Sequence, residues 1–83
     1  METDEMLYDY EKAKRWREDS RLTRRQLAEL TGFSISAITN FETGIVRGNK
    51  ARPVDSASMK RYRLILAAIT HGLTEWDWTG RAP

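Results

Sequence analysis

The sequence predicts an all-α domain of five helices, and three observations point there. Apolar residues recur at steps of three and four along most of the chain, which is the spacing of one helical face. Strand-like alternation of useful length is absent, as are internal repeats and heptads. The stretch "LAELTGFSISAITNFE", Leu27 to Glu42, has helical spacing that breaks at "TGFS" and resumes at once. Two short helices packed across a tight turn need such a pattern.

The first helix is expected to be capped by Thr3 or Asp4, with Asp4 and Glu5 suited to its positive end. Met6, Tyr10, Ala13 and Trp16 share one face of it, and it should run to about Ser20. A second helix begins at Thr23, where "TRRQ" has the form of a capping box: Thr23 accepts from the helix and Gln26 reaches back. Leu27, Ala28 and Leu30 supply its apolar side. Gly32 ends it, because a stop of this kind uses the left-handed region that glycine enters without steric cost. Phe33 then plugs the gap between helices, and Ser34 caps the third helix at once. That helix turns Ile38 and Phe41 inward and stops near Gly44. "GIVRGNKARP" reads as a loop. A fourth helix follows from about Ser56 to His71, with Met59, Tyr62, Ile65, Leu66 and Ile69 buried. Gly72 closes it, and Thr74 is expected to cap a short fifth helix, "TEWDW".

Composition narrows the function classes. With 83 residues, 40% hydrophobic and 31% charged, the chain supports one modest core and is not a disordered segment. It has no cysteine, so neither disulfides nor cysteine-ligated zinc hold it together. No apolar run approaches the roughly 20 residues of a membrane span, and the acidic start "METDEM" is unlike a signal peptide. A cytoplasmic location is expected. The net charge of +2 is unevenly spread. Residues 1–20 carry seven acidic and four basic side chains, whereas residues 21–63 carry nine basic and three acidic. A basic middle after an acidic start suggests one face that meets a polyanion. The alternative is a set of cations that only keeps a small domain soluble.

The pattern "LTxxQLAxxxGFSxxxIxxFExG", carried by Leu22, Thr23, Gln26, Leu27, Ala28, Gly32, Phe33, Ser34, Ile38, Phe41, Glu42 and Gly44, resembles the Cro/phage-repressor (Xre-like) helix-turn-helix DNA-binding family. Trp16 stands where that family has a core leucine, and Arg17 matches an arginine that pairs with the glutamate at Glu42. "GLTEWDW" resembles the family's closing helix. The chain departs from the pattern at Thr31, where an apolar residue is usual, and in a loop several residues longer. The register of its fourth helix also needs about one inserted residue. The resemblance implies a single lambda-repressor-like domain over residues 1–83. Its helix-turn-helix spans about 23–43, with a basic loop at 44–55 and C-terminal helices at 56–78.

The family places its third helix in the major groove, with the second across the backbone. Since the core uses Ile38 and Phe41, the base-reading set is expected to be Ile35, Ser36, Thr39, Asn40 and Thr43. Asn40 can pair bidentately with adenine. Ile35 either meets a thymine methyl or is a partly buried staple. The exposed side of this helix carries no cation, so phosphate contacts are expected from Arg24, Arg25, Ser34, Arg47, Lys50, Arg52, Lys60 and Arg61, with Arg63 beside them. Arg52 suits the family's basic loop near the neighbouring backbone or minor groove. Arg17 and Glu42 are expected to form a structural, partly buried ion pair.

His71, the only histidine, suits the negative end of helix four. The acids of helix one alternate with cations as a solvated face. No Ser/His/Asp set, phosphate-cradling glycine loop or paired-carboxylate site is present, which argues against an enzyme. No cofactor, metal or small-molecule ligand is expected. Trp76 and Trp78 cannot both face inward on one helix. One closes the core and the other is a candidate interface anchor for a homodimer. The expected function is a transcriptional regulator that binds duplex DNA at an inverted repeat. The alternatives are an antitoxin-like protein-interaction module and a DNA-bending subunit of a recombination complex.

Overall fold

The computed structural model describes residues 7–48 and 50–76. Its elements in chain order are α1 (Asp9–Asp19), α2 (Arg24–Thr31), α3 (Ile35–Thr43), β1 (Ile45–Val46), β2 (Arg52–Pro53) and α4 (Ser56–Thr70). Helix α1 packs on α3 and α4, and α2 packs on α3. Ala13 of α1, Leu27 of α2, Ile38 of α3, and Met59, Tyr62 and Leu66 of α4 form the buried core.

Thr3, Asp4 and Met6, expected at the start of the first helix, lie outside the described residues. Within them, α1 starts at Asp9 after an extended Tyr8, whose N–H donates to the Glu11 carboxylate at 2.9 Å. At the other end Arg21 takes a left-handed conformation, φ 60°, and Leu22 N–H returns to the Arg17 carbonyl at 3.1 Å. The Thr23 hydroxyl accepts from Gln26 N–H at 3.0 Å, and the Gln26 amide oxygen accepts from Thr23 N–H at 2.8 Å. This reciprocal pair satisfies two otherwise orphan donors at the first turn of α2.

Gly32 (φ 81°) and Gly44 (φ 77°) terminate α2 and α3, and each N–H bonds the carbonyl four residues back. Between the helices, the Thr31 hydroxyl donates to the Leu27 carbonyl at 2.8 Å and accepts from Phe33 N–H at 3.3 Å. Thr31 thus helps to hold the turn although it is not apolar. The ring of Phe33 meets Phe41 edge-on at 5.4 Å, and Phe41 stacks on Tyr62 at 4.1 Å. These aromatic contacts clamp the α2–α3 angle against α4.

Three expectations need amendment. First, the chain is mostly but not wholly helical. The stretch read as a loop holds an antiparallel pair, with Ile45 opposite Pro53 and Val46 opposite Arg52, and Val54 N–H donates to the Gly44 carbonyl at 3.0 Å. Strands two residues long leave no alternation to detect, and a proline fits because this narrow sheet has free edges. Second, the described residues contain four helices, not five. After α4, the N–H groups of Gly72 and Leu73 bond back to Ile69 and Ala68. Thr74–Trp76 is not helical, and Asp77 and Trp78 lie outside the described residues. Third, the apolar side of α2 is only partly covered: Leu27 is fully buried and Ala28 half-buried, but Leu30 is 41% exposed.

Helix α4 has a cap that sequence reading missed. The Asp55 carboxylate accepts from Ser58 N–H at 3.0 Å and from the Ser58 hydroxyl at 2.7 Å, which holds its pKa below the ordinary carboxylate value. The signal was present in Asp55 standing three residues before Ser58. His71 follows α4 as its C-cap.

Candidate nucleic-acid interface

The site begins with the fixing of α3. Ile38 is fully buried against the core, and Glu42 is buried one turn further on. A buried carboxylate is stable only when paired and hydrogen-bonded. Arg17 Nε donates to Glu42 Oε2 at 2.7 Å and Arg17 Nη2 donates to Oε1 at 3.0 Å, while Arg17 Nη1 donates to the Leu22 carbonyl at 2.8 Å. This bidentate fork raises the Arg17 pKa, chiefly through the hydrogen bond to Glu42. Arg24 joins as a second cation, its Nε donating to Oε1 at 3.0 Å. Three helices therefore meet at one carboxylate. Sequence spacing gave no sign of Arg24 here, because its approach depends on how α2 crosses α3.

With the inner side held, the outer side of α3 is defined. Ile35, Ser36, Thr39 and Asn40 line one shallow concavity of about 280 Å³, together with Arg47 from the residue after β1. Ile35 is 48% exposed, which removes it from the core. Among the described residues, the Ser36 hydroxyl and the Asn40 amide have no protein hydrogen-bond partner, so both retain donors and acceptors for a ligand. Thr39 differs: its hydroxyl donates to the Ile35 carbonyl at 3.0 Å, which leaves it an outward acceptor. Thr43 is half-buried, donates to the Thr39 carbonyl at 3.0 Å and does not line the concavity.

The cations expected to touch phosphate have different commitments. Arg25, Lys50, Arg52 and Lys60 are exposed, and Arg61 is exposed with Nη2 donating to the Ser58 hydroxyl at 3.2 Å. Arg63 is paired with Asp9 at 3.2 Å, which ties α4 to the start of α1. Arg24 has its Nε on Glu42 and both Nη atoms without partners among the described residues. Ser34 caps α3 by accepting from Ala37 N–H at 3.0 Å. Of the cations expected to touch phosphate, the structure brings only Arg47 into the concavity itself.

A family model for the helix-turn-helix domain matches residues 11–54, more than half of the chain. The chain belongs to the helix-turn-helix domain family. The matched span runs from α1 past β2, so it takes in the Arg17–Glu42–Arg24 junction, the outward face of α3 and the hairpin. Helix-turn-helix membership agrees with the Xre-like resemblance and points to DNA binding of a regulatory kind. No curated protein and no solved structure matches the chain. Among the described residues, no helix is long and apolar enough to cross a membrane.

Proposed function

We propose that this domain is a sequence-specific, duplex-DNA-binding transcriptional regulator of the Xre-like, Cro/repressor type that acts on an inverted repeat as a homodimer. The observation that carries the reading is the outward face of α3. Among the described residues it forms an open concavity, offers the unpartnered amide of Asn40 and hydroxyl of Ser36, and is aimed by a buried ion network. In this reading α3 enters the major groove. Asn40 pairs with adenine, Ser36 and Thr39 meet base edges, Ile35 contacts a thymine methyl, and Thr43 lies at the limit of the reading surface. Arg25, the free Nη atoms of Arg24 and the hydroxyl of Ser34 hold the backbone at the ends of α2 and α3. Lys50, Arg52, Lys60 and Arg61 extend that grip.

Dimerisation is proposed near the C-terminal end, where Leu64 (60%), Leu73 (57%) and Trp76 (73%) are exposed. Trp78, the other candidate anchor, lies outside the described residues. The same apolar exposure is the one observation that favours an antitoxin-like interaction module instead.

Selection of bound duplexes from a random pool at two salt concentrations separates the two readings. The regulator reading expects a palindrome with half-sites about one DNA turn (~34–36 Å) apart. It also expects a steep salt dependence that flattens by about one counterion in Arg52→Ala. Recovery of no preferred sequence at either salt would favour the interaction module.

A further inference from the structure

Arg47 was expected among the phosphate contacts, but the structure puts it in different company. It lines the same concavity as Ile35, Ser36, Thr39 and Asn40, the side chains that face outward from α3. The β1–β2 pair explains why. Gly44 turns the chain out of α3 in a left-handed conformation, and Val54 N–H fastens the far strand to the Gly44 carbonyl at 3.0 Å. Val46 is held opposite Arg52, so the next residue leaves the ladder beside the helix it has just left. Val46 is half-buried, and Arg47, just past the strand, is exposed.

We infer that Arg47 is a base-reading residue that specifies a G·C pair within the half-site, with the hairpin acting as a second reading element beside α3. This rests on the DNA-binding reading proposed above. The chemistry of the concavity favours it. The side chains that α3 contributes are all uncharged, and among the described residues Arg47 is the one cation lining the concavity. Phosphates lie at the rims of the groove, whereas base edges lie across its floor, so a guanidinium sharing a recess with the base readers is placed for the floor. Guanine alone presents two acceptors there, O6 and N7, and a planar guanidinium meets both at once. The neighbouring groups suit other bases: the Asn40 amide suits adenine and the Ile35 side chain suits a thymine methyl. Arg47 supplies the guanine specificity that α3 lacks.

The test uses the duplex that the wild-type protein selects from a random pool, and a panel in which each base pair of one half-site is replaced in turn. Wild type is expected to prefer G·C at one position by on the order of 5- to 150-fold. Arg47→Ala removes that preference and leaves the other positions unchanged. Arg47→Lys, which keeps the charge but not the planar fork, also loses most of it. Replacing that guanine by 7-deazaguanine weakens wild type and not Arg47→Ala. The inference is overturned if Arg47→Ala weakens all duplexes equally, lowers the salt slope by about one and leaves every position as selective as before. That result makes Arg47 a phosphate contact while the DNA-binding reading stands. If wild type selects no sequence at all, the reading itself falls and this assignment falls with it. Because Arg47 is exposed, thermal melts of both variants should match wild type, which separates lost contact from lost fold.

Discussion

The two faces of α3 have opposite hydrogen-bonding states. On the inner side Ile38 is fully buried, Phe41 stacks on Tyr62, and Glu42 has its oxygens on two arginines. On the outer side the Asn40 amide and Ser36 hydroxyl have no partner among the described residues, and Ile35 is half exposed. One face is complete and the other is not. The difference teaches that the inner face spends its chemistry on orientation, so that the outer face can present unsatisfied groups at a fixed angle. Substitutions on the inner face should register in stability, and those on the outer face in binding.

The largest expected effect is at the junction of three helices. Glu42→Ala leaves the Arg17 guanidinium, with a side chain only 12% exposed, without its carboxylate, and should cost about 3–5 kcal/mol in urea unfolding. Arg17→Ala should cost less, because Arg24 still faces Glu42 at 3.0 Å. Arg24→Ala, at a side chain 36% exposed, should cost under about 1 kcal/mol. Equal losses for all three would show that the carboxylate is not shared in this graded way.

The two glycines that stop α2 and α3 give a second contrast. Both have positive φ, so alanine costs about 1–2 kcal/mol at either position. At Gly32 an added Cβ meets nothing within 4 Å, but at Gly44 it would lie 2.6 Å from Tyr10 Cδ1. Gly44→Ala should therefore lose a further ~1–3 kcal/mol from overpacking against α1. Thermal melts of the two variants check this, and equal shifts would mean that Tyr10 moves aside freely.

Tyr62 sharpens the view of what the inner face packs against. Its ring is fully buried under Phe41, and its hydroxyl has no hydrogen-bond partner among the described residues. Burial, with Glu42 nearby, pushes its pKa well above the usual tyrosine value. Tyr62→Phe removes the unsatisfied group and should stabilise the fold by about 1 kcal/mol, read by urea unfolding. A loss of stability would mean that the hydroxyl has a partner. The smallest effects on folding are expected on the outer face: Ser36→Ala and Asn40→Ala should melt within about 0.5 kcal/mol of wild type.

Legibility in the sequence followed how local each feature is. Thr23 with Gln26, and Gly32 before Phe33 and Ser34, act within four residues, so the α2–turn–α3 arrangement could be read directly. The burial of Met59, Tyr62 and Leu66 followed from helical periodicity. What stayed hidden depends on contacts distant in sequence or too short to have a period. Arg24 reaches Glu42 across 18 positions, and only the packed angle of α2 on α3 reveals it. The β1–β2 pair is too brief to alternate, so "GIVRGNKARP" looked like plain loop and Arg47 like one more surface cation. Leu30 fitted the apolar face of α2 by type, but in the packed fold only Leu27 is fully buried while Leu30 is 41% exposed.

The most direct test of the central claim is a titration of isotopically labelled protein with the selected duplex, followed by nuclear magnetic resonance. The account predicts that the Asn40 side-chain amide and the backbone amides of Ile35, Ser36 and Thr39 shift most. Residues Leu64, Leu73 and Trp76 should stay as they are in the free protein. Shifts concentrated on Leu64, Leu73 and Trp76, with α3 unmoved, would contradict it.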